Sequence, residues 1–233
     1  MAFGQVISAN TGAGLVAALS SAAITTSSGQ LMAIGIDIKS TAQTLASITD
    51  TYGNTWIKGP ANLTAGSDVL YGYYAQNITG GAGHVITVNI AGGTANLSFV
   101  VMTFTGRATS SALDKAATFS LIGTFGTSHA GASATTANAS EDLFAFNFSA
   151  GATAADTFTA GSGWTIPSGG QNPGNGASYC PSFVEYQAAV AVGTYAGAYT
   201  TGNYVQGAGL IMTFNSSSGI PTTGGAGMLM GVG

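Results

Sequence analysis

"QLMAIGIDIKS", residues 30–40, decides the fold class. Met32, Ile34, Ile36 and Ile38 recur at every second position, with Ala33, Gly35, Asp37 and Lys39 between them. Successive side chains of a β-strand point to opposite faces, so a period of two predicts a strand; a helix would space its apolar residues three and four apart. The alternation returns downstream. "HVITVNIA" sets Ile86, Val88 and Ile90 against Val85, Thr87 and Asn89, and "DLFAFNFSA" sets Phe144, Phe146 and Phe148 against Ala145, Asn147 and Ser149. "GLIMTFN" aligns Leu210, Met212 and Phe214. These read as half-buried antiparallel strands, whereas "NLSFVVMTFTG", apolar on both faces from Phe99 to Met102, reads as a central strand covered on both sides.

Breaks rich in Gly, Asn, Ser and Asp separate the strands at the spacing of a sandwich or barrel. Helical periodicity is limited to "GLVAALSSAA" (14–23) and "SSALDKAAT" (110–118), each long enough for a short helical turn. "SITDTYGNTWIKG" (47–59) reads as a hairpin: "SITD" ends a strand, Gly53 and Asn54 suit positive φ, and "TWIKG" begins the next strand. There Asp50 is expected to bond the turn backbone and Trp56 to lie in the core or between sheets. No composition break divides the chain, so residues 1–215 are predicted as one domain, with a long loop at 166–179. Residues 216–233 lose all periodicity and read as a flexible tail. The tail ends in the apolar Met228, Leu229, Met230 and Val232, which are expected either to fold back or to insert into a neighbouring subunit as assembly contacts.

Charged residues make up only 5% of the 233 residues, against about 25% in an average domain, so hydroxyls, amides and glycine must cover the surface. Such a surface packs closely against copies of itself, because few charges need to be stripped of water on contact. Aromatics at 9% exclude a disordered chain. A membrane helix needs about 20 mostly apolar residues, and Ser, Thr, Asn or Gly interrupts every apolar run here, so no helical span is expected. Lys39, Lys58, Arg107 and Lys115 stand singly, which leaves no basic patch for nucleic acid. The single Cys180 excludes an internal disulfide and any multi-cysteine metal site, and is predicted to be a buried thiol. No basic residue precedes the apolar stretch near the N-terminus, so a cleaved signal peptide is not expected and release from a cell would be by lysis.

The chemical motifs are weak. "GAGLVA" (12–17) matches a dinucleotide-binding pattern, but the following "AITTSSGQ" breaks the helix that pattern requires. His84 and His129 fit no paired metal spacing, and the adjacent Glu141 and Asp142 read as the polar edge of a loop. No catalytic residue, metal or cofactor is expected. Carbohydrate binding is the functional alternative: Trp164 in "GSGWTIPSGG" is the candidate for stacking on a sugar ring. Tyr71 and Tyr73 fall on one face of their strand and Tyr74 on the other, so part of that cluster must be core.

Read in order, "TDTYGNTW", "VLYGYYAQN", "HVITVNI", "LSFVVMTFTG", "EDLFAFNF", "GSGWT" and "EYQAAVAVGTY" resemble the concanavalin A-like jelly-roll β-sandwich modules of phage virion and bacterial surface proteins. The resemblance spans residues 30–214. Where those modules often read V-x-E-F-S-G, this chain has "VMTFTG", with Thr103 in the acid's place, so no carboxylate-dependent role carries over. The resemblance implies an all-β antiparallel jelly-roll sandwich located in a virion. Its work would be structural and non-enzymatic, as a capsid decoration, tail or fibre component. Its partners would be copies of itself or other virion proteins. The alternative is a lectin-like adhesion module that binds host-surface glycans.

Overall fold

The computed structural model describes residues 3–12, 14–150, 155–172, 174 and 180–217, and every regular element among them is a strand. The first half of the chain forms β1 (Phe3–Asn10), β2 (Ala18–Ser20), β3 (Leu31–Lys39), β4 (Thr44–Asp50), β5 (Ile57–Lys58), β6 (Leu63–Ala65), β7 (Asp68–Ala75), β8 (Ile86–Ala91) and β9 (Asn96–Phe104). The second half forms β10 (Leu113–Ser120), β11 (Gly126–His129), β12 (Ser133–Thr135), β13 (Glu141–Ala150), β14 (Phe158–Ala160), β15 (Gln171–Asn172), β16 (Ser182–Val190), β17 (Thr194–Ala196) and β18 (Tyr199–Phe214).

These strands build two large antiparallel sheets with the same internal order. One runs β1-β9-β3-β7-β5, with β6 attached to β7; the other runs β10-β18-β13-β16-β15. The correspondence extends to the smaller sheets: β2 and β4 flank β8, and β11 and β14 flank the N-terminal part of β18. The molecule is therefore a structural tandem, each half of the chain completing one sheet. This is the expected all-β antiparallel sandwich with a connectivity of its own, because a jelly roll passes successive strands back and forth between its sheets. One further element, the strand pair β12–β17, has no counterpart in the first half among the described residues.

The two sheets share a core. Leu31, Ala33, Val100, Met102 and Phe104 from the first meet Phe144, Phe146, Phe148, Leu210, Met212 and Phe214 from the second. Gly35 sets their spacing: a Cβ there would lie 2.0 Å from Cγ of Phe146, so only glycine lets the ring approach. The opposite face of the first sheet is also covered. Met32, Ile34, Ile36 and Ile38 pack under Ile86, Val88 and Ile90 of the outer sheet. Hence β3 is buried on both faces rather than half-buried as its alternation predicts, since Ala33 and Gly35 are small to admit a neighbour and do not face water. The central placement of β9 is as expected, with every residue buried.

Three local expectations are corrected. The segments expected to offer helical turns carry β2 and β10, because ladders to β8 and β18 outweigh a weak local preference. The stretch 47–59 is not a hairpin: β4 pairs with β8 and β5 with β7, so the turn carries the chain from the outer sheet to the main one. Gly53 does take positive φ (+70°). Glu141 and Asp142 are fully buried rather than at a polar edge, with Asp142 Oδ2 3.1 Å from Nε of the buried Arg107. At the C-terminal end, Ser216 bridges to Arg107 and the Ser217 amide donates to the Gly106 carbonyl at 3.0 Å, so the chain is still tied to the sandwich there. Met228, Leu229, Met230 and Val232 lie outside the described residues.

Candidate functional site

The turn at 51–56 is organised by one carboxylate. Asp50 Oδ1 accepts from the Tyr52 amide (3.0 Å), the Asn54 amide (3.3 Å) and Asn54 Nδ2 (3.0 Å), while Oδ2 accepts from Trp56 Nε1 (3.0 Å). Asn54 extends the knot by accepting from the Thr79 amide at 2.7 Å and donating to the Thr79 carbonyl at 3.1 Å. Below it, Nε2 of the buried His84 stands 3.2 Å from Asp50 Oδ1, and its Nδ1 is 2.7 Å from Thr26 Oγ1. The expectation that Asp50 bonds the turn backbone therefore holds, and its wider role is to fix the edge of the Trp56 indole.

Trp56 forms one wall of an open cleft of about 230 Å³, lined also by Leu45, Ala46, Ser47, Ile48 and Tyr73. Two half-buried aromatic rings beside a strand edge with a serine hydroxyl suit the apolar faces and hydroxyls of a flat polar ligand such as a sugar. Tyr73 lies on the outer face of β7 with Tyr71, and Tyr74 faces the inter-sheet core, as the sequence predicts.

Trp164, the residue favoured for sugar stacking from sequence, is only 8% exposed and packs with Ala132, Ala134, Leu143 and Ile211. Its ring is a core element here. The two tryptophans are related by the strand plan. Ile57 pairs with Tyr74 toward the end of β7 and Thr165 bridges Tyr186 in the middle of the corresponding β16, while β6 and β15 pair nearer the starts of those strands. By register the Thr165 bridge matches β5 and β15 matches β6, so Trp56 and Trp164 hold equivalent places in the two halves.

Other ionisable groups cluster inside. Glu185 is fully buried, accepts from Asn147 Nδ2 at 3.0 Å, and is pushed by burial up to about 8. His129 stacks on Tyr199 with ring centres 4.7 Å apart, and burial lowers its pKa. Asp37, Asp68 and Cys180 meet at one end of the inter-sheet space, all buried. Burial, then the charge of Asp68, raises Asp37 well above the usual carboxylate range; burial brings Asp68 to about 6 and raises the Cys180 thiol. The expected burial of Cys180 is thus observed.

What remains outside is almost uncharged. Of the twelve charged residues, Asp37, Asp68, Arg107, Glu141, Asp142, Asp156 and Glu185 are buried and Lys39, Asp50 and Asp114 are partly buried; only Lys58 and Lys115 are exposed. Exposed apolar side chains punctuate this surface: Leu15, Val192, and the stacked pair Phe125 and Tyr204, with ring centres 6.0 Å apart. No helix among the described residues is long and apolar enough to cross a membrane. Compared with protein-family models, curated proteins and solved structures, the chain matches none.

Proposed function

We propose that the protein is a non-enzymatic structural subunit of a phage-like virion, a capsid decoration, tail or fibre component, that works by packing against copies of itself or other virion proteins. The observation that carries this reading is the surface with only two exposed charges. Stripping water from a charge costs several kcal/mol, so an interface of ordinary size forms most readily where few charges must be buried. Phe125 and Tyr204 supply an exposed aromatic anchor of the type that dominates interface energies. In the same reading, Met228, Leu229, Met230 and Val232 are the tail's contacts.

The test is molar mass by light scattering across a concentration series, at low and high salt, for the full chain and for a chain ending at Ser217. A defined oligomer that resists salt, weakens on truncation and dissociates with Tyr204→Lys is expected. A monomer throughout that also fails to join purified particles would overturn the proposal.

The Trp56–Tyr73 cleft favours a second reading, a carbohydrate-binding adhesion module directed at host-surface glycans. A glycan array tests it: binding lost in Trp56→Ala supports it, and no binding by the full chain removes it.

A further inference from the structure

We propose that Asp37, Asp68 and Cys180 form a binding site for a zinc-class divalent cation that fastens the two large sheets to each other. Asp37 on β3 and Asp68 at the start of β7 belong to the first sheet; Cys180 stands two residues before β16 of the second. One ligand atom from each lies within 4.8 Å of the other two. Tetrahedral zinc, with Zn–O and Zn–S bonds near 2.1 and 2.3 Å, holds its ligands roughly 3.5 Å apart, so side-chain adjustment of about 1 Å closes the site.

The cluster has a feature that packing alone does not explain. No N–H or O–H donor reaches either oxygen of the wholly buried Asp37, whose neighbour is the Cys180 thiol, and Oδ1 of Asp68 lacks a partner as well. Bare carboxylate oxygens in an interior are costly; single ones occur on Glu141, Asp156 and Glu185, but among the described residues only Asp37 has both of its oxygens bare. Around the cluster, by contrast, the supporting groups are in place. Ser67 Oγ donates to Asp68 Oδ2 at 3.0 Å, which orients the carboxylate and leaves Oδ1 aimed inward. Ser98, opposite Asp37 on β9, shares a 2.8 Å hydrogen bond with Ser182 and forms a polar wall across the sheets.

Ligand chemistry selects the ion. Two carboxylate oxygens and a sulfur form a mixed hard and soft set that suits zinc, whereas calcium and magnesium take oxygen ligands alone. Three protein ligands leave the fourth position to water. Charge also closes: two carboxylates and a thiolate bring three negative charges, and a dication with Lys39, whose charge acts on all three groups, brings three positive ones.

The experiment uses the full chain, stripped with a chelator and titrated with Co²⁺ as an optical stand-in for zinc. Expected are one bound equivalent, a thiolate-to-cobalt charge-transfer band in the near ultraviolet, and loss of that band on adding Zn²⁺. Cys180→Ser should abolish the band, and Asp37→Asn should weaken binding by at least roughly tenfold. Circular dichroism checks that each variant is folded; if Cys180→Ser does not fold, the unmodified chain alone decides. A folded wild-type chain that retains no metal and shows no charge-transfer band overturns the proposal, as does a band that persists without Cys180.

Discussion

Trp56 and Trp164 occupy the same place in two halves of one strand plan, yet one borders an open cleft and the other is sealed. The difference lies in what covers each. Ala132, Ala134 and Tyr195, on or beside the strand pair β12–β17, pack around Trp164, and no equivalent pair stands over Trp56 among the described residues. The neighbouring position differs in step. By the same pairing, Tyr73 of β7 corresponds to Glu185 of β16: a ring on the cleft wall in one half, an acid buried beside Asn147 in the other. One strand plan is closed over its tryptophan in one half and left open in the other, and only in the open half can a ligand reach the indole.

The largest expected effect tests the sealed side. Trp164→Ala removes a buried indole from a packed cluster and should cost about 4 kcal/mol in denaturant unfolding, as large-to-small core substitutions do. A loss below about 1 kcal/mol would show that β12–β17 does not seal the ring, and the contrast between the halves would fail.

Of comparable size is the effect of the acid beneath that seal. Burial raises Glu185 in the folded chain from its ordinary 4.5 to about 8. Between these values the unfolded chain releases the proton while the folded chain keeps it. The contribution of Glu185 to stability is therefore complete below about 4.5, declines as pH rises, and is lost by about 8. Thermal unfolding should show a midpoint that falls over this window. Glu185→Gln, which keeps the shape and can still accept from Asn147, should flatten the slope; an unchanged slope would place its cause elsewhere.

The fold class was legible because a period of two survives wherever one strand face is more apolar than the other, as in Ile86–Ile90 and Phe144–Phe148. The tandem was not legible, because it lies in strand order and the two halves fill equivalent positions with unlike residues, Tyr73 against Glu185. Single-sequence periodicity also cannot show what lies above a strand, so the sequence puts Trp56 in the core or between sheets and Trp164 on a ligand, whereas Trp56 borders the cleft and Trp164 is buried. The acids were misread for a related reason. Glu141 and Asp142 begin a strand, where solvent is the default neighbour, and only the fold brings Arg107 and the Ala189 amide, which donates to Asp142 at 2.8 Å, to meet them. The gathering of Asp37, Asp68 and Cys180 depends on the same long-range closure, across 143 positions of sequence from Asp37 to Cys180.

The smallest expected effect sharpens the open side. Trp56→Phe keeps an aromatic face on the cleft, though a smaller one, and removes the N–H that donates to Asp50 Oδ2. The other carboxylate oxygen keeps its three donors from Tyr52 and Asn54, so the turn should persist. One hydrogen bond to a carboxylate is worth about 1.5–3 kcal/mol, and with the smaller ring, unfolding in denaturant should register a loss of about that size. The ring itself should then tilt more freely, since its packing against the outer cluster no longer has a fixed edge. If the cleft takes sugars, Trp56→Phe should weaken binding without abolishing it, whereas Trp56→Ala should abolish it. Equal binding by all three chains would mean that the open half of the tandem is open for packing against a neighbour, and that its aromatic wall is interface rather than receptor.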